Sequence, residues 1–249
     1  MTLINDDCLD AMRDISSNSV DMLFADLPYG QTSCKWDSEI SLVPFWAEVN
    51  RICKPDAPMI FTCSVRFGNT LINSNVRNFR YDLVWVKSTT CGFLNAKKMP
   101  MKKHEMIYVF YRKLPSVYQD SIKEHHTHKF GKSSTIKTEH DTAYGENIHY
   151  HNTQQRNGES IYDPPLPNSI VECKSEKGKH ATQKPVALME WILKYYSREN
   201  DTVLDPTMGS GSMGVACKNM NRSFIGIEKD KEIFDVATGR IMKTNLSVS

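Results

Sequence analysis

Gly209-Ser210-Gly211-Ser212-Met213-Gly214 is the feature that most limits what this chain can fold into. It follows a strand-like run, Thr202-Val203-Leu204-Asp205, and opens a helical stretch from Ser212 to Asn219. A second strand-like run, Ser223 to Glu228, then ends on a carboxylate. Glycines after a strand let the backbone approach a ligand, and an acid one strand further on accepts hydrogen bonds from ribose hydroxyls. The spacing alone fits a dinucleotide or S-adenosylmethionine, and a glycine-rich helix start built for close packing is the other reading. Only 21 residues follow Glu228, enough for one closing helix (230–245) and a tail. The further strands of such a sheet are therefore expected before the loop, a permuted order awkward for a dehydrogenase.

Those strands are visible as short apolar runs. Val20 to Ala25 ends in Asp26-Leu27-Pro28-Tyr29-Gly30, where Pro and Gly stop it. Met59 to Cys63, Tyr81 to Val86 and Met106 to Tyr111 are three more, with a helix over residues 43–52. From about Leu114 to Lys179 the sequence turns polar and His-rich without sustained periodicity. Regular pattern resumes at Pro185, with a helix over Val186 to Ser197. The alternation predicts an α/β fold with a mostly parallel, doubly wound sheet. The expected division is a catalytic part (1–113), a target-recognition insert (114–179) and a cofactor-binding part of the same domain (180–249).

Asp205-Pro206-Thr207-Met208 places a carboxylate just before the glycines. A carboxylate there suits a cofactor with an α-ammonium and a sulfonium, and repels a pyrophosphate on the next helix N-terminus. S-adenosylmethionine is favoured over a dinucleotide. Asp26-Leu27-Pro28-Tyr29 lies at the carboxyl end of its strand, where open α/β sheets hold ligands. An exocyclic base amine is a poor nucleophile because its lone pair is delocalised into the ring. The Asp26 carboxylate and the Leu27 carbonyl, both accepting from the amine hydrogens, would free that lone pair. Tyr29 would stack on a base swung out of the duplex. The same tetrapeptide is also good turn chemistry. Methylation at cytosine C5 needs a cysteine nucleophile, usually after proline, and none of the 11 prolines precedes a cysteine.

The formal net charge is only +2, yet residues 87–132 hold ten basic and three acidic side chains, about +7, a surplus able to follow phosphates. Lys97, Lys98, Lys102 and Lys103 with Met99 and Met101 suggest a phosphate-contacting loop, and Trp36 a wall of the base pocket or a core residue. The seven cysteines contain no CxxC pair, and histidines 125, 126, 128, 140, 149 and 151 match no standard ligand spacing, so no metal is expected. No apolar stretch is long enough to span a bilayer and no secretory signal is seen, so a cytoplasmic location is expected.

Taken together, these motifs resemble the β-class DNA amino-methyltransferases, in which the catalytic motif precedes the recognition region and the cofactor motif comes last. Asp26-Leu27-Pro28-Tyr29 is similar to the family's D-P-P-Y, with Leu27 for the first proline. Asp205 to Ser212 resembles D-P-F-x-G-S-G-T, with Thr207 for the phenylalanine, and His180-Ala181-Thr182-Gln183-Lys184-Pro185 resembles H-x-T-Q-K-P. Asp6-Asp7-Cys8 resembles G-D-C before a helix, while Trp85-Val86-Lys87 and His104 to Ile107 match segments flanking the pocket. The resemblance implies catalysis by Asp26, Leu27, Pro28 and Tyr29. It implies cofactor contacts from Asp7, Cys8, Asp26, Thr182, Lys184, Pro185, Asp205, Pro206, Thr207, Gly209, Ser210, Gly211 and Glu228. The implied substrate is double-stranded DNA, with adenine N6 favoured over cytosine N4, whose enzymes more often carry Ser at the position of Asp26. A homodimer and a cognate restriction endonuclease are the implied partners. The rivals are a glutamine-methylating relative, a catalytically inactive DNA-binding relative and a nicotinamide-dependent dehydrogenase.

Overall fold

A computed structural model describes residues 1–28, 40–129, 161–174 and 183–244. The elements begin with β1 (Thr2–Ile4), α1 (Cys8–Arg13), β2 (Met22–Ala25), α2 (Leu42–Ile52), β3 (Met59–Cys63) and α3 (Val65–Ser74). A long hairpin, β4 (Phe79–Cys91) and β5 (Lys102–Phe110), encloses a short 3-10 turn at Phe93–Asn95. Next come α4 (Val117–His125), β6 (Thr127–His128), β7 (Tyr162–Asp163) and β8 (Ile170–Glu172). The chain closes with α5 (Val186–Tyr196), β9 (Thr202–Asp205), α6 (Ser212–Asn219), β10 (Ser223–Ile227) and α7 (Lys231–Lys243).

Two compact units form: residues 1–118 with 169–249, and residues 119–168. In the first, eight strands make one sheet in the order β1-β10-β9-β2-β3-β5-β4-β8. Every pairing is parallel except β3 with β5 and β5 with β4. This is the expected mostly parallel sheet. The strand at Ile170–Glu172 lies inside the stretch read as a polar insert, and it pairs with the edge of this sheet through Val84, Trp85 and Val86. In the second unit β6 and β7 pair antiparallel. No helix of the described residues is long and apolar enough to cross a membrane.

Side chains on a strand alternate between the two sheet faces. Leu23 and Ala25 of β2, Met59 and Phe61 of β3, and Leu204 and Ile227 join one core with α1, α2 and α3. Phe45, Trp46, Phe61 and Phe110 pack there with ring centroids 5.4–6.2 Å apart. Each such pair contributes roughly 0.5–1.5 kcal/mol beyond area burial. Phe224 of β10 faces the other way, where α6 and α7 pack closely enough that a Cβ on Gly214 would lie 2.8 Å from its ring. Helices therefore cover both faces, as in a doubly wound sheet.

The connections place the site. From β9 the chain crosses through α6 to β10 on one side, and from β2 through α2 to β3 on the other. Strands β2 and β9 are neighbours, so strand order reverses between them. Open α/β sheets hold ligands at the carboxyl ends of such a pair.

Candidate functional site

Four carboxylates stand along that edge in the order of their strands. Asp7 follows β1, Glu228 follows β10, Asp205 ends β9 and Asp26 follows β2. Residues scattered from 7 to 228 are thus brought into one row by strand order.

Asp26 is held from two sides. Thr62 Oγ1 donates to its Oδ1 at 3.0 Å, and Lys184 Nζ donates to its Oδ2 at 2.5 Å. Thr62 is in place because Ala25 pairs with Phe61 in the parallel ladder, which sets the next residues side by side. Lys184 also lies 3.3 Å from Glu105 Oε1, and Lys87 Nζ lies 2.8 Å from Glu105 Oε2. The result is a ladder of alternating charge, Asp26–Lys184–Glu105–Lys87, in which Lys184 and Glu105 are each only 11% exposed. Burial pushes the Asp26 carboxyl above the usual carboxylate range; the Lys184 ammonium pulls against that shift and the Glu105 charge adds to it. Burial would raise Glu105 as well, but Lys184 and Lys87 together hold it below its ordinary value. Lys184 is kept protonated: the two carboxylates outweigh its desolvation.

The loop after β9 meets Asp26 directly. Thr207 donates its hydroxyl to the Asp26 carbonyl at 3.2 Å and its main-chain N–H to Asp205 Oδ1 at 3.1 Å. One residue thus ties the carboxylate of β9 to the backbone of β2. Asp205 is 3% exposed and accepts that one hydrogen bond among the described residues. Burial pushes its carboxyl well up, and the charges of Asp26 and Glu228 add to the shift. Among the described residues no cation pairs with it, and the Lys184 charge offsets the shift only in part.

The glycines divide their duties. Gly209 and Gly211 both adopt positive φ, 51° and 78°. A Cβ on Gly209 would meet nothing among the described residues, so that face of the loop is open. On Gly211 it would meet Ile241 at 2.9 Å and Ala237 at 3.2 Å, and on Gly214 Ile241 at 2.5 Å, so both pack against α7. The close-packing reading of the motif thus holds at Gly211 and Gly214, while Gly209 leaves the space that the other reading requires. Arg240 of α7 braces the loop by donating to the Ser210 carbonyl at 3.2 Å and to Ser212 Oγ at 2.9 Å. Ser212 Oγ in turn donates to the Lys184 carbonyl at 2.7 Å.

Glu228 is fixed by backbone amides: Gly209 N–H reaches Oε2 at 3.0 Å and Asp230 N–H reaches Oε1 at 2.9 Å. Burial still leaves its carboxyl raised. Asp7 caps α1 by accepting from Leu9 N–H at 2.9 Å, and Lys229 Nζ lies 3.1 Å from its other oxygen. Cys8 is buried in the core with α1, and burial first, then the Asp7 charge, push its thiol up to about 12. Leu27, Pro185 and Pro206 are buried and Pro28 half-buried. Tyr29, Trp36, His180, Thr182 and histidines 140, 149 and 151 lie outside the described residues. Sequence reasoning left Thr62 out and gave Glu105 and Lys87 no role beyond flanking. A threonine in the otherwise apolar Met59–Cys63 run was the available signal for the first.

A family model described as DNA methylase, the N6/N4 methyltransferase model, matches residues 20–239. M.HinfI, a type II methyltransferase of Haemophilus influenzae, is 26% identical over 269 aligned positions, 96% of this chain and 68% of that protein. M2.LlaDCHI, a type II methyltransferase of Lactococcus lactis subsp. cremoris, is 49% identical over 72 residues, 28% of this chain and only 27% of that protein. Among solved structures, M1.HpyAVI in complex with SAM superimposes with a TM-score of 0.64 at 24% identity, covering 96% of this chain and 98% of its own. The cytosine-N4-specific PvuII DNA methyltransferase superimposes with a TM-score of 0.68 at 14% identity, covering 98% and 87%.

Proposed function

The chain belongs to the N6/N4 DNA methylase family, and from that premise we propose that it methylates the exocyclic amine of a flipped base in double-stranded DNA, adenine N6 by preference, using S-adenosylmethionine. One observation carries the reading. The Asp26 carboxylate stands at the reversal of strand order, and the carbonyl of the same residue is joined by Thr207 to the loop that carries Asp205 and Gly209.

The residues present fit the cofactor. Among the described residues Asp205 is a buried carboxylate with no ion-pair partner, the face of Gly209 is clear, and Glu228 accepts from backbone amides with acceptor capacity left over. Asp205 would take the α-ammonium, Glu228 the ribose hydroxyls, and Asp7 would stand toward the adenine. S-adenosylmethionine, when bound, supplies a methyl carbon made electrophilic by its sulfonium. Asp26 accepts an amine N–H on the lone pair that Lys184 or Thr62 leaves open, and the Leu27 carbonyl accepts the other. Nitrogen density is thereby pushed toward the incoming carbon. After transfer the nitrogen sheds a proton, and the raised proton affinity of buried Asp26 suits it to receive one. Tyr29 would stack on the base.

Support for adenine comes from the aspartate itself, since the family's cytosine members more often carry serine there. M.HinfI and M2.LlaDCHI are type II methyltransferases, and a cognate restriction endonuclease is the partner this reading expects. The test is Asp26→Ala. Transfer to plasmid DNA should fall by about 100-fold or more, while S-adenosylmethionine still binds in calorimetry. Full transfer by that variant would remove Asp26 from the mechanism. A modified-base readout separates N6-methyladenine from N4-methylcytosine.

A further inference from the structure

The β4–β5 hairpin continues far past the sheet that anchors it. Every residue from Ser88 to His104 is exposed; beyond Val86 with His104 the register breaks at a bulge over residues 87–90, and pairing resumes at Cys91 with Lys102. A two-stranded ribbon wet on both faces is marginal by itself, so burial does not explain its length. Its end is ordered all the same: Gly92 turns at φ 90°, and the amides of Asn95, Ala96 and Lys98 close successive turns at 2.8–3.0 Å. That turn presents Phe93 and Leu94, 81% and 96% exposed, with Met99 and Met101 beside them. Lys97, Lys98, Lys102 and Lys103 lie close to these side chains along the chain, and residues 87–104 contain no carboxylate.

Direction and root tie the ribbon to the site. β2 runs parallel to β3, β3 antiparallel to β5 and β5 antiparallel to β4. β4 therefore runs with β2, and the ribbon leaves the sheet at the edge where Asp26 stands. Its root residues, Lys87 and Glu105, are the outer members of the charge ladder that ends at Asp26.

We propose that this ribbon is a DNA-insertion arm, whose lysines grip phosphates while Phe93 and Leu94 wedge into the base stack beside the displaced target base. The proposal rests on the methyltransferase reading. The duplex is the occupant that matches exposed apolar side chains on a stretch with four lysines and no carboxylate: the grooves offer phosphates at their rims, and the major groove admits a two-stranded ribbon. Apolar wedges unstack a base step in just this way, and a base must leave the stack before chemistry.

The test compares the full-length protein with the Phe93→Ser/Leu94→Ser variant on two oligonucleotide duplexes. Both carry a site first identified by modified-base sequencing of plasmid DNA methylated by the wild type. In one the target base is paired, and in the other it faces a mismatch and is already loose. The arm predicts a fall in kcat/KM of about 10–100-fold on the paired duplex and less than about threefold on the mismatched one. S-adenosylmethionine affinity and Tm should stay unchanged. Lys97→Gln/Lys98→Gln should instead reduce the slope of log affinity against log salt by about 2, on either duplex. Equal losses on both duplexes, or none on either, would overturn the wedge. A variant that dissociates a dimer without changing the ratio between duplexes would assign the tip to a second copy and overturn it too. No transfer by the wild type to any DNA would sink the methylase reading itself, a result distinct from these.

Discussion

Lys184 Nζ sits 2.5 Å from Asp26 Oδ2 while its own carbonyl accepts from Ser212 Oγ at 2.7 Å. The residue that holds the proposed catalytic carboxylate is thus anchored to the helix that opens after the glycine loop.

Replacing Lys184 by Met removes the cation that opposes burial at Asp26 and leaves the raising influence of Glu105 in place. In the proposed mechanism transfer needs ionised Asp26, so activity falls as pH drops through its pKa. That acidic limb should move to higher pH by about 1–3 units in Lys184→Met and return toward its original place in Lys184→Arg. A pH–rate profile distinguishes this from a structural role, which would lower activity equally at every pH.

Asp205 costs stability, and the proposed cofactor contact is what it would give in return. Its folded pKa lies above the unfolded value, so the unfolded chain ionises first as pH rises, and stability falls from the ordinary aspartate range upward. Asp205→Asn keeps an acceptor for the Thr207 amide and abolishes that loss. Thermal melting at pH 7 should therefore rise, by roughly 2–4 °C per kcal/mol recovered, and the gain should vanish below about pH 4. S-adenosylmethionine affinity should fall by roughly 10–100-fold, the worth of a charge-assisted hydrogen bond.

In Thr207→Val the hydroxyl that donates to the Asp26 carbonyl is lost and the amide that donates to Asp205 is kept. A neutral hydrogen bond is worth about 0.5–1.5 kcal/mol, so kcat should drop about 2–10-fold with little change in cofactor Kd. Thr207→Ser should restore it. A fall in cofactor affinity with unchanged kcat would place Thr207 with the cofactor alone.

The two kinds of glycine should separate under urea. Gly214→Ala drives a methyl into Ile241 and Phe224 and should cost about 1–3 kcal/mol, with S-adenosylmethionine binding retained below the transition. Gly209→Ala meets no atom of the described residues but adopts a left-handed φ, costing about 1–2 kcal/mol. Its methyl would stand in the proposed cofactor space, so binding should be the property most affected.

Much of the fold was legible because buried strands carry unbroken apolar runs. Thr202–Asp205 and Met59–Cys63 are strands with the bounds the sequence suggests. Tyr81 to Val86 lies within a strand that runs on to Cys91. Residues 87–91 escaped notice because a ribbon wet on both faces has no reason to alternate polar and apolar side chains. Ile170–Glu172 was too short and too polar to stand out at a sheet edge. Acids at strand ends marked the row of carboxylates, but the partners of Asp26 were hidden. Thr62 and Lys184 are 36 and 158 positions away from it, a distance that only strand order closes.

The strand order also has a consequence for synthesis. Asp26 and Thr207 touch across 181 positions, and β1 pairs with β10. A nascent chain extended through β5 already holds the carboxylate, Thr62 and the ribbon, yet β2 has no neighbour on its β9 side and the loop of Thr207 does not exist. Chains whose contacts span such separations close slowly. On the ribosome, then, the part proposed to grip DNA is made long before the loop proposed to take the methyl donor's ammonium, and the row of carboxylates stays broken until β9 and β10 emerge.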